Sequence, residues 1–266
     1  MRNNGRRVLP AIVFALLGLL AAGGSARAQA AATPEPPAAS NGCQTPGLTL
    51  HGDVPLARVL EAFRDRKVIR ILTIGASSRV GRNTNQGGYY AVIRAVLEQT
   101  IPGVEVEIID RGASGELAAQ AGERIRVEVA LTNPDLVLWQ LGTSDALAQI
   151  HTQDFRQTTL ETLTWLREHR VDVVLVGLHY IRSLRNDPGY QELRATLKQL
   201  AEEQKVLHIS RYDALQLIEQ AGAGAGGQNE FEQTEEGYNC LAEYVTRALT
   251  AGIFSKRPVD GGRQRN

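Results

Sequence analysis

Five short runs of this chain are almost continuously apolar, at 68–74, 104–110, 136–141, 171–177 and 206–210. Between them lie stretches with helical periodicity at 88–99, 117–131, 154–170 and 188–204, with two more at 212–221 and 234–251. Strands that alternate with helices predict an α/β domain. Unbroken apolar runs are what strands buried on both faces need, so the sheet is expected to be parallel with helices on each side. Right-handed crossovers then make a single doubly wound sheet of five strands the economical topology. In the second helix Leu117, Ile125, Val129 and Leu131 leave no single apolar stripe, which predicts cover on more than one side. Pro134 and Asp135 end that helix before the third strand.

A doubly wound sheet binds ligands beyond the carboxyl ends of its strands. Those ends read Gly75-Ala76-Ser77-Ser78, then Asp110-Arg111-Gly112-Ala113-Ser114-Gly115, then Gly142-Thr143-Ser144-Asp145, then Leu178-His179-Tyr180. A fifth block, Gly237-Tyr238-Asn239-Cys240-Leu241-Ala242, opens the last helix. The order serine, glycine, Gly-Thr-x-Asp and Gly-Tyr-x-Cys-Leu-Ala resembles the blocks of the SGNH/GDSL hydrolases, in an exported bacterial branch, over nearly the whole of 43–251. The resemblance implies a flavodoxin-like sheet of SGNH-hydrolase type and ester chemistry.

It also implies roles. Ser77 matches the nucleophile. Gly112 matches the glycine whose amide joins the oxyanion hole, and Ser144 stands where an asparagine would complete that hole. Asn229 and Glu232 stand where an aspartate and, three residues later, a histidine would orient and act as the base. Ser144 keeps a short donor, and a damaged oxyanion hole costs roughly 10² to 10³ in rate. Loss of the histidine costs roughly 10⁶ in a serine hydrolase where it was measured. Glu232 as base would accept a proton poorly, and at neutral pH it lacks the one a leaving group needs. Its acidic neighbours Glu230, Glu235 and Glu236 would raise its pKa; a surface carboxylate before a helix N-terminus is the plainer reading.

His179, just after the fourth strand, is the other possible base, against a rim histidine. His208 lies within the fifth strand and reads as a core histidine. His51, His151 and His169 carry no signal. The spacing Gly75-x-Ser77-x-x-x-Gly81 lacks the middle glycine that a pyrophosphate needs, and Arg79 breaks the Gly-x-Ser-x-Gly elbow.

Two functional readings follow. The first is a degenerate enzyme that binds a small-molecule or carbohydrate ester, or a protein partner, in the former cleft, with Arg79, Arg82, Asn83 and Asn85 as a polar rim or merely a solvated loop. The second is an active ester hydrolase or carbohydrate O-deacetylase using Ser77 with His179 or Glu232. A scaffold subunit is a third possibility.

Composition adds the compartment. Arg2, Arg6 and Arg7, an apolar stretch at 11–20 and Ala26-Arg27-Ala28 read as a cleaved export signal over 1–28, too short to span a bilayer. An Ala/Pro-rich linker at 29–42 precedes the domain at 43–252, and a basic tail at 253–266 reads as disordered. The expected location is periplasmic or secreted, with no integral membrane segment once the signal is removed. The 29 basic and 29 acidic residues cancel, and no basic stripe with aromatics points to nucleic acid. Metal-ligand spacing is absent, so no cofactor or metal is expected. Export favours a disulfide between Cys43 and Cys240, the chain's two cysteines, over a pair of buried thiols. Closing so long a loop stabilises by roughly 4 to 5 kcal/mol on the entropic account.

Overall fold

The computed structural model describes residues 54–75, 89–220 and 235–255. Five parallel strands form one sheet in the order β2-β1-β3-β4-β5, where β1 is Val68–Gly75, β2 Glu105–Gly112, β3 Leu136–Gln140, β4 Asp172–Val176 and β5 Leu207–Ile209. The order reverses between β1 and β3, and sheets of this kind bind ligands at the carboxyl ends of the strands where the order reverses. Strand alternation divides the core into two layers. Ile69, Ile71, Leu136, Leu138, Val174 and Val176 face one side, and Leu72, Ile74, Val137, Trp139 and Leu175 face the other.

The first layer is closed by α1 (Ala57–Arg66), α2 (Tyr89–Thr100) and α8 (Glu235–Phe254), and the second by α3 (Ala118–Thr132), α5 (Thr152–Glu168) and α6 (Pro188–Gln204). Two shorter helices sit at the carboxyl side, α4 (Thr143–Leu147) and α7 (Arg211–Gln220). Helix α6 starts as its sequence dictates: Asp187 accepts from the Tyr190 amide at 2.7 Å, and Pro188 needs no amide partner.

Three expectations change. Helix α1 escaped notice although Leu56, Val59, Ala62 and Phe63 recur at helical spacing; Val59 and Ala62 are its buried residues. Helix α3 is not covered on more than one side: its inner stripe is Ala118, Ala121, Gly122, Ile125 and Val129, while Val127 and Leu131 face water at 58% and 74% exposure. Small residues carry that stripe because α5 approaches closely; a Cβ on Gly122 would lie 2.6 Å from the Thr162 hydroxyl. The last helix runs past its expected end at 251 to Phe254, because Ile253 is buried in the first core layer.

At the amino end of the sheet, Asp172 Oδ2 accepts from the Arg58 and Val59 amides at 2.8 and 3.0 Å, capping α1 from β4. Burial pushes this carboxyl up to about 6 despite those bonds. The folded state therefore holds a proton that the unfolded chain releases near pH 4, and stability from this group falls as pH rises from about 4 to about 6. Asp172→Asn should remove that fall. Urea midpoints of the two proteins should converge at the acid end and separate in favour of the variant by pH 7; parallel curves would contradict this account.

Candidate functional site

The β-ladder brings three of the sequence blocks together. Gly75 at the end of β1 pairs with Gly112 on one side and with Gln140 on the other. Its carbonyl accepts from the Ala113 amide at 3.0 Å. The backbone turns there with φ +98°, and a Cβ at this position would stand 1.9 Å from the Gln140 carbonyl oxygen. Only glycine fits so close an approach between strands. Ser77 follows two residues later and lies outside the described residues, as do Asn229, Glu232, Cys43 and the rim residues Arg79, Arg82, Asn83 and Asn85.

The third block is tied down by its acid. Gly142 takes φ +96° and opens α4, so Ser144 sits half-buried in the first turn. Asp145 is buried; its Oδ1 accepts from the Ala118 amide at 2.9 Å and its Oδ2 from the Gly142 amide at 3.2 Å. Burial raises its pKa. This carboxylate fastens the start of α3 to the turn carrying Ser144. His179, half-buried after β4, adjoins the same turn: its amide donates to Thr143 Oγ1 at 2.9 Å, and its carbonyl accepts from the Tyr190 hydroxyl at 2.7 Å. His208 is buried in β5 beside Gly177, whose added Cβ would lie 2.8 Å from the His208 Nε2.

Gly112 stands at the carboxyl end, but its amide is engaged: it donates to Asp110 Oδ1 at 3.0 Å. The same oxygen accepts from the Thr73 hydroxyl at 3.1 Å. Thr73 also bonds Tyr90, and Gln140 Nε2 donates to the Tyr90 hydroxyl at 2.8 Å. Arg211 Nη1 lies 3.4 Å from Gln140 Oε1. Burial pushes the Tyr90 phenol up to about 12, so it remains a donor at any ordinary pH. None of these side chains stood out in the sequence except Asp110. The available signals were Thr73 and Gln140, polar residues inside otherwise apolar strands.

A groove of about 750 Å³ opens beside α4, floored by Leu147, Ile150, Leu184 and Leu193. Another, of about 1130 Å³, lies at the opposite end of the sheet, among α1 and the ends of α5 and α6.

Residues 42–255 match the model of the non-GDSL lipase-like family. The chain belongs to that family. No curated protein sequence matches it. Among solved structures it is similar to a catalytic mutant of an acetylxylan esterase from Geobacillus stearothermophilus, with a TM-score of 0.55 and 20% identity over 68% of this chain and 94% of that one. It is similar to the acetyl xylan esterase AlAXEase, with a TM-score of 0.59 and 17% identity over 68% of this chain and all of the other. A putative GDSL-like lipase from Parabacteroides merdae gives a TM-score of 0.56 and 20% identity over 69% and 96% of the two chains. Family and neighbours together place the fold among the SGNH/GDSL hydrolases. Among the described residues, no helix is long and apolar enough to cross a membrane.

Proposed function

We propose that this protein is an exported, catalytically degenerate member of its family, which binds an ester-bearing small molecule or carbohydrate at the carboxyl end of the sheet without turning it over. The observation that carries this reading is the pair Asn229 and Glu232 where an orienting aspartate and a basic histidine belong. The bond from the Gly112 amide to Asp110 supports it, because a donor already spent on a carboxylate gives no help to a developing oxyanion. Esterases among the structural neighbours favour an acylated sugar as the ligand class.

The basic, apolar and small-residue order of the first 28 residues supports export to the periplasm or beyond. Pairing of Cys43 with Cys240 belongs to the same reading, and is supported by the absence of a free cysteine among the described residues.

A second reading is favoured by one observation. His179 is held by its backbone within one residue of Ser144, on the side of the sheet where a base is needed, and would let Ser77 work as an esterase or O-deacetylase. Hydrolysis of p-nitrophenyl acetate separates the two. Wild type and Ser77→Ala should be indistinguishable. Turnover that vanishes in Ser77→Ala would refute degeneracy, and its loss in His179→Ala or in Glu232→Gln would name the base.

A further inference from the structure

Arg211, Gln140, Tyr90 and Thr73 lie beneath the strand ends, Arg211 at 1% exposure and Thr73 at 0%. Burying such groups is costly unless each is bonded. Here they are bonded in a line that crosses the sheet from the start of α7, through β3, α2 and β1, to Asp110 on β2. The line has one sense. Arg211 can only donate, so Gln140 receives at its oxygen and donates from its nitrogen to the Tyr90 hydroxyl. Thr73 has a single proton, which it gives to Asp110, so the Tyr90 hydroxyl donates to Thr73. Every donor points from a buried cation toward one carboxylate, and bonds aligned in this way strengthen one another.

The last acceptor, Asp110 Oδ1, also holds the Gly112 amide. We propose that Asp110, fixed by this row, withholds the Gly112 amide and makes the carboxyl end of the sheet reject tetrahedral anions. The inference rests on reading this end as a former ester-cleaving site. An oxyanion at the Gly112 amide would have to displace the carboxylate that now accepts from it, and would then lie beside a like charge. A neutral ester or sugar meets no such obstacle, so the row selects uncharged ligands over anions. Asp110 is a positioning and specificity residue here, and takes no part in bond-making.

The test uses the whole exported chain and methylphosphonate as the tetrahedral anion, with the Gly112 amide followed by nuclear magnetic resonance. In Asp110→Ala the amide should exchange with solvent at least about tenfold faster than in wild type, and methylphosphonate should bind at least about tenfold more tightly, one donor of this kind being worth roughly 10² to 10³. Asp110→Asn, which keeps an acceptor without the charge, should fall between. Glu105→Ala, an exposed carboxylate at the other end of β2, should change neither quantity. Equal exchange in wild type and Asp110→Ala would overturn the proposal, and so would equal anion binding. Neither readout depends on ester turnover, so activity in the wild type would defeat the degenerate reading and leave these two measurements to decide this one.

Discussion

Asn229→Asp combined with Glu232→His is expected to hydrolyse p-nitrophenyl acetate at least about a hundredfold faster than wild type, a fraction of the roughly 10⁶ that a serine hydrolase loses with its histidine. Both changes are needed. A histidine alone at 232 would find an amide at 229, and an orienting carboxylate changed to an amide costs about 10⁴ where it was measured, because the imidazole is held in the wrong tautomer. Glu232→His by itself should therefore gain less than about tenfold. Adding Ser144→Asn should increase the double variant's rate again, since a longer amide donor reaches where a serine hydroxyl falls short. The substitutions at 229 and 232 leave two described features alone: Gly75 is locked between Gly112 and Gln140, and Asp145 fastens the Ser144 turn to α3. A double variant that unfolds at the wild-type urea midpoint and shows no gain would mean that the fold no longer brings residues 229 and 232 to Ser77.

Gly75→Ala is expected to cost about 3 to 5 kcal/mol, at the severe end for one substitution. Two effects add. The residue must hold φ +98°, which costs an alanine about 1 to 3 kcal/mol. Its new methyl would stand 1.9 Å from the Gln140 oxygen and 2.9 Å from that carbonyl carbon. Both atoms are backbone of the neighbouring strand, so relief requires β1 and β3 to part. Gly115→Ala is the control: its φ is +76°, but nothing lies within 4 Å of the added methyl, and only about 1 to 2 kcal/mol should be lost. Urea unfolding of the two variants measures the difference; equal losses would mean that the sheet yields at Gly75.

Most of the fold was legible because buried parallel strands leave unbroken apolar runs that few other elements share. Predicted and observed strand positions differ by one or two residues at their ends, and α6 begins and ends at the predicted residues, as Asp187-Pro188 dictates. Helix α4 is hard to read because it has five residues and starts from a glycine, and the inner stripe of α3 mixes alanine and glycine with only Ile125 and Val129, which weakens its hydrophobic periodicity. Helix α1, by contrast, carries a regular apolar spacing and was legible. The blocks located the turns that carry Gly112, Ser144 and His179 through their places in the chain. They gave no hint that Gly112 would spend its amide on Asp110, two residues earlier, since such a bond depends on the direction of one N–H, nor that Asp145 would be a fastener. The polar row was hidden because its members come from five separate elements, and the polar residues Thr73 and Gln140 inside apolar strands do not by themselves show what they bond.

The amino end of the sheet has a practical use. There the Leu56 amide donates to the Gly252 carbonyl at 3.0 Å, and α8 finishes at Phe254 beside the start of β4. The start of β4 is level with Ile71 of β1, four residues before Gly75, so this point lies toward the amino end of the sheet. A handle attached directly after Ser255, in place of the residues that follow, would depart from the amino end of the sheet. Protein anchored to a sensor surface by such a handle would present the carboxyl ends of the strands, with Gly75, Gly112 and Gln140, to the flowing solution.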